Sequence, residues 1–195
     1  MNIEQIYNSF TAKEKIVCPW QLAPLIDNRI RPLIHNPEKL FAPYVACGMT
    51  VLDVGCGAGF TSLGLARLVG EEGLVIAADL QSKMLGIVEE RAIKAGLSDR
   101  IRVHLCSRNR IGLQEELDFA VAFFMVHEVP DVQSFLEEIF TLLKPGGRFF
   151  ITEPKIHVGL IAFQQITRTA QDIGFEIAER PKVIFSRTVL LAKNK

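Results

Sequence analysis

The sequence predicts an α/β fold: a mostly parallel sheet with helices on both faces, closed by a C-terminal antiparallel strand. Three observations carry this. From residue 49 onward, short apolar runs alternate with segments of helical period, the βαβα order that builds a parallel sheet. The run Leu117–Phe124 is apolar almost throughout, as a strand buried on both faces should be. Near the end, two strand-like stretches, Phe175–Glu179 and Val183–Ala192, are separated only by Arg180-Pro181-Lys182. So short a link forces an antiparallel hairpin.

The elements follow in order. Asn36-Pro37-Glu38 starts a short helix running to about Val45: Asn caps, Pro takes the first helical position and Glu meets the positive end of the dipole. Met49–Val54 is a strand and Phe60–Val69 a helix, followed by a strand at Leu74–Asp79. Ser82 opens a helix whose apolar face is Met84, Ile87, Val88, the stem of Arg91 and Ala95, and Gly96 ends it. Ile101–Leu105 alternates as a strand. After Leu117–Phe124, Pro130-Asp131 opens a helix to Leu143, and Lys144-Pro145-Gly146-Gly147 stops it before the strand Arg148–Thr152. Val158–Ile173 is helical, and Gly174 breaks it before the hairpin.

Acids and bases balance at 22 each, which argues against electrostatic capture of nucleic acid or anionic membrane as the main mode of action. No DNA partner is expected. The four cysteines, at 18, 47, 56 and 106, lack Cys-x-x-Cys spacing and read as buried reduced thiols, and no metal is expected. The start shows no charged region before an apolar run, and the longest clean apolar run, Phe119–Val126, is far short of a membrane span. A soluble cytoplasmic protein is the expectation.

The sharpest motif is Val51-Leu52-Asp53-Val54-Gly55-Cys56-Gly57-Ala58-Gly59-Phe60, a strand running through three glycines into a helix. Glycines there permit a tight turn and let a ligand lie on bare backbone. Asp79 ends the next strand, where a carboxylate can accept hydrogen bonds from both hydroxyls of a ribose. The dinucleotide fingerprint would need glycine at position 60, which is Phe here. The spacing therefore favours a nucleoside without phosphates.

These residues resemble a known family. VLDVGCGAGF is similar to the first motif of the class I S-adenosylmethionine-dependent methyltransferases, and Asp79 in VIAADLQSKML matches their ribose-binding acid. LDFAVAFFMVHEVPD resembles their fourth strand, and LLKPGGRFFITEP their fifth with its preceding turn. The likeness covers roughly residues 40–192 and leans toward ubiquinone and menaquinone biosynthesis methyltransferases. It implies a Rossmann-like seven-stranded sheet, S-adenosylmethionine as cofactor and an enzyme that transfers its methyl group. It further implies that Gly55, Gly57 and Gly59 carry the methionine part of the cofactor, and that Asp53 receives its amino group directly or through water. Asp79 would hold the ribose and Leu80 would press on the adenine. After the third strand the family usually has an acid that meets the adenine amino group; here the residues are Cys106-Ser107-Arg108-Asn109, leaving Ser107 or Asn109 to accept that bond.

Three residues are candidates for catalysis. His127 and Glu128 follow the fourth strand, whose carboxyl end should face the reacting methyl, and Glu153 follows the fifth. Each can serve as a base if the acceptor must lose a proton. Residues 122–125 read Ala-Phe-Phe-Met, with no Asn-Pro-Pro-aromatic or Asp-Pro-Pro-aromatic motif and no Pro-Cys pair, which weighs against base methylation. A basic cluster, Arg100, Arg102, Arg108 and Arg110 with His104, reads as a solvated face.

Two regions are expected: an N-terminal helical cap over residues 1–46 and the cofactor-binding domain over 47–195. No long insertion follows the fourth or fifth strand, so either the N-terminal segment or a second copy in a homodimer should complete the site. A small-molecule acceptor is the leading reading. The rivals are methylation of a protein or RNA, a module that binds the cofactor without chemistry, and a nicotinamide oxidoreductase.

Overall fold

The computed structural model describes residues 35–194. A short helix α1 (Pro37–Phe41) precedes β1 (Thr50–Val54), α2 (Phe60–Val69), β2 (Leu74–Asp79), α3 (Ser82–Ala95) and β3 (Ile101–Leu105). The second half holds β4 (Leu117–Phe123), α4 (Val132–Leu142), β5 (Leu143–Pro154), α5 (Leu160–Ile173), β6 (Phe175–Glu179) and β7 (Ser186–Lys193). These make one seven-stranded sheet in the order β3-β2-β1-β4-β5-β7-β6. Strands β1 to β5 pair in parallel, and β7 lies antiparallel between β5 and β6. The expected architecture is therefore present.

Alternation along the strands sends side chains to two cores. Val51, Val75, Phe119, Val121 and Phe150 pack with Phe41, Leu65 and Val69 on the side of α1 and α2. Leu52, Ile76, Ala120, Phe149 and Ile151 pack with Leu136, Ile139, Phe163 and Ile166 of α4 and α5. The polar exception in β4, Asp118, sits near its first residue, where it accepts from Thr50 N at 2.8 Å and from Lys144 Nζ at 2.7 Å. A partly buried charge is tolerable when both oxygens are matched in this way.

Several element ends differ from expectation, most by a residue or two. Helix α1 stops at Phe41, because Pro43 disfavours helix at the residue before it and lacks an amide to continue the ladder. Its start is as expected, with Asn36 Oδ1 accepting from Lys39 N at 2.9 Å. Strand β5 begins at Leu143 and carries Lys144-Pro145-Gly146-Gly147 within it as a register shift against β4. Helix α5 starts at Leu160, after Gly159 at its cap. Strand β7 starts at Ser186 rather than Val183, so the hairpin link spans residues 180–185; Phe185 at φ +58° leaves the extended region there. Of the expected N-terminal cap, residues 1–34 lie outside the described residues.

Candidate active site

The chain builds the sheet outward from β1 to β3, then returns to lay β4 on the other side of β1. At such a reversal, loops leaving the carboxyl ends of the two central strands diverge and open a crevice. A cleft opens there. It is lined by Asp53, Gly55 and Gly57 at the end of β1, Asp79 and Leu80 at the end of β2, Ser107 and Asn109 after β3, and Glu128 after β4. Eight residues singled out from the sequence thus converge on one surface.

The glycine turn has a physical reason at each step. Gly55, Gly57 and Gly59 have φ of +69°, +53° and +83°, a left-handed region costly for other residues. A Cβ on Gly55 would stand 2.7 Å from Met125 Cγ, so this glycine lets the β4 loop close over β1. A Cβ on Gly57 would meet no protein atom within 4 Å. Gly57 therefore presents bare backbone to the open cleft. Gly59 does not line the cleft; it caps α2 and packs on Val88, 3.0 Å from where its Cβ would be.

Asp79 ties the turn together. Its Oδ2 accepts from Gly57 N at 2.9 Å and its Oδ1 from Gln81 N at 2.8 Å, and the residue is nearly buried. Burial pushes its carboxyl above the ordinary range, against the pull of the backbone N–H groups of Gln81, Gly57 and Leu80. Each carboxylate oxygen has a second lone pair, so both can still accept from a vicinal diol. Asp53 is buried, and its Oδ2 accepts from Ser62 Oγ at 2.5 Å. A nucleoside fits these features: a buried acceptor pair for the ribose beside a backbone cradle that a Cβ would fill.

The loop after β3 closes one wall. Ser107 Oγ donates to Arg110 O at 3.1 Å, which folds residues 107–110 into a tight turn. Glu138 of α4, not singled out from the sequence, grips this loop through Ile111 N at 2.9 Å and Gly112 N at 2.8 Å. No spacing signal marks it, since it is one of two adjacent acids on an amphipathic helix. Burial, then Asp79, then Glu138 push the neighbouring Cys106 thiol up to about 12. The basic cluster is largely paired: Arg100 with Glu71 at 3.3 Å, Arg110 with Glu138 at 3.9 Å, and Arg102 with Glu115.

On the β4–β5 side, Phe124 follows the strand at φ +65°, a strained conformation for a bulky residue, and its N–H donates to Thr152 O at 2.9 Å. This turns the chain into the short segment Val126–Glu128. Glu128 lines the cleft, whereas His127 and the β5 residue Glu153 do not. Glu153 is fully buried. Its Oε1 accepts from Val126 N at 2.7 Å, and its Oε2 pairs with His127 Nδ1 at 2.5 Å. Glu153 can therefore act only through His127. The His127 ring meets His157 edge to face at 5.6 Å.

Comparison with known proteins agrees with this geometry. A family model described as a methyltransferase domain matches residues 46–184. The ubiquinone/menaquinone biosynthesis C-methyltransferase of Brucella anthropi is 34% identical over 113 residues, 57% of this chain and 43% of that protein. The demethylmenaquinone methyltransferase of Oceanobacillus iheyensis is 33% identical over 109 residues, 56% of this chain and 46% of that protein. The chain thus matches less than half the length of these two curated relatives. A SAM-dependent methyltransferase from Aquifex aeolicus superposes with a TM-score of 0.82 at 28% identity, over 90% of this chain and 99% of that one. The chain belongs to the methyltransferase-domain family, with the Rossmann-like fold of its S-adenosylmethionine-dependent members.

Proposed function

We propose that the protein transfers the methyl group of S-adenosylmethionine to a small-molecule acceptor that loses a proton during attack. The observation that carries this reading is the meeting of Gly57 and Asp79 in one cleft, a bare backbone cradle beside a buried carboxylate. Asp79 holds the ribose hydroxyls, Leu80 presses on the adenine, and Ser107 or Asn109 accepts from its amino group. Gly55, Gly57 and Gly59 shape the turn for the methionine part, and Asp53 receives its amino group. When bound, the cofactor supplies a methyl already activated on a positively charged sulfur.

The chain's own contribution is then mostly alignment, worth up to ~7–11 kcal/mol in well-oriented reactions. His127 takes the acceptor's proton at Nε2. Glu153 holds the Nδ1–H, fixes that tautomer and stabilises the imidazolium, as a buried carboxylate does for a catalytic histidine. Such a base adds ~10²–10⁴ in rate. Glu128, which lines the cleft, is the other group that can take the proton. The name of the Brucella anthropi relative, a C-methyltransferase of ubiquinone/menaquinone biosynthesis, supports a carbon acceptor.

Residues 1–46 cover the mouth in this reading. Support comes from His35, whose ring lies against Phe123 and Phe124 at 5.5 and 5.7 Å. Calorimetry with S-adenosylmethionine, its demethylated product and nicotinamide dinucleotides tests the cofactor assignment. Micromolar binding of the first two is expected; tight binding of dinucleotides alone overturns it.

A further inference from the structure

We propose that two joined loops beside the cleft, residues 154–161 and 180–187, form a docking surface for an anionic lipid bilayer. The proposal concerns binding alone and holds whether or not methyl transfer follows.

Both loops leave the sheet at the edge that bears the cleft. Residues 154–161 follow the carboxyl end of β5. Residues 180–187 lead into β7, which runs antiparallel to β5, with Ser186 opposite Pro154. Lys155 N donates to Phe185 O at 3.0 Å and Arg187 Nε to Val158 O at 3.0 Å, so the two loops form a single rim.

The rim is unusually apolar for a surface in water. Ile156, Ile161, Phe185, Ile184 and Leu160 are exposed to 87, 79, 73, 54 and 54%. The other exposed large apolar residues, Leu80, Ile93 and Leu105, belong to other elements. Scattered exposed apolar residues need no explanation, whereas a contiguous group marks a binding surface. Phe185 also holds φ +58°, which a bulky side chain adopts rarely, and no burial of its ring compensates for that strain.

Charge selects the partner. The two loops hold Lys155, Arg180, Lys182 and Arg187 and no acid, in a chain whose net charge is zero. The acids just before them are engaged elsewhere: Glu153 is buried on His127, and Glu179 Oε2 accepts from Tyr44 OH at 3.0 Å. Apolar tips set among cations match a lipid interface, where the tips enter the headgroup boundary and the cations meet anionic headgroups. A second copy of the same rim would bring like charges together, which disfavours self-pairing.

Co-sedimentation of the full chain with vesicles tests this. The protein should bind vesicles of phosphatidylcholine with phosphatidylglycerol, bind phosphatidylcholine alone far less, and lose binding as salt rises. The pairs Ile184→Ser/Phe185→Ser and Lys155→Glu/Lys182→Glu should each weaken partition by about tenfold or more. Calorimetric binding of S-adenosylmethionine should stay within a few-fold in both, reporting an intact fold. No partition of the parent protein into anionic vesicles overturns the proposal, as does partition unchanged by both pairs. Self-association that the Ile184→Ser/Phe185→Ser pair abolishes, without vesicle binding, also overturns it and assigns the rim to a second copy.

Discussion

Glu153 receives the Nδ1–H of His127 on one carboxylate oxygen and the backbone N–H of Val126 on the other. The same acid therefore sets the ring tautomer and the path of the loop that carries the ring. Glu153→Gln should keep the bond to Val126 through its carbonyl while offering an N–H to Nδ1. The ring then turns to its other tautomer, and Nε2 ceases to be a base. Expected is a fall in kcat of ~10²-fold or more with a hydroxyl or carbon acceptor and little change in cofactor affinity. His127→Ala should show the same fall in single-turnover kinetics. Full activity of either variant would leave Glu128 as the remaining proton acceptor.

Gly57→Ala and Gly55→Ala separate cofactor space from loop packing. Both place a side chain in left-handed backbone, at a cost of ~1–2 kcal/mol. At Gly57 the added methyl meets only open cleft, so thermal stability should fall modestly while S-adenosylmethionine binding weakens at least ~tenfold. At Gly55 the methyl meets Met125, so the larger loss should appear in the melting temperature. Melting curves with calorimetry on both variants check the contrast.

Asp79 gives a pH signature. Because burial raises its folded-state carboxyl above the ordinary range, the ionised form costs stability at neutral pH. That cost disappears as pH falls through the raised folded value toward the unfolded one. Only the ionised form accepts from both ribose hydroxyls on charged oxygens, so cofactor affinity should run the other way. It should hold at neutral pH and fall on acidification, beginning above the ~3.9 of a free aspartate. Asp79→Asn should bind about tenfold or more weakly at neutral pH and show no such decline. Titration calorimetry from neutral to mildly acid pH reads both.

Thiol labelling tests the burial of the cleft wall. Against the expectation of buried thiols, Cys47 is exposed, while burial holds the Cys56 thiol well above its usual range and the Cys106 thiol at about 12. Only thiolates alkylate quickly. In a Cys18→Ser background, iodoacetamide at mildly alkaline pH should modify Cys47 first and leave Cys56 and Cys106 largely intact by mass spectrometry. Rapid loss of Cys106 would mean that the loop gripped by Glu138 opens in solution.

Most of the fold was legible because its signals are local. The Gly55–Gly59 turn, the apolar run of β4 and the cap at Asn36 each act over a few residues. Boundaries shifted where a tertiary pairing overrode local chemistry. Gly146 and Gly147 read as a stop, yet the neighbours of β5 draw the turn into the strand as a bulge. Of the site, the glycines and Asp79 were readable because their spacing is rigid. The grip of Glu138 on Ile111 and Gly112 joins residues 27 and 26 apart, and nothing near Glu138 marks it. His127 and Glu153 were found one by one; their pairing depends on β4 and β5 lying side by side, which only the sheet order fixes.

The reversal after β3 also divides the chain's tasks along its length. Of the residues assigned to the methyl donor, all lie within one uninterrupted stretch, from Asp53 to Asn109. The candidate bases and the lipid-facing rim come from the later half, from His127 to Arg187. The two stretches meet along the β1–β4 seam, a parallel pairing held mainly by backbone hydrogen bonds and apolar contacts. Such a seam tolerates many sequences on either side. Recombination across residues 110–116 could therefore exchange what is methylated, and where, while leaving the source of the methyl group untouched.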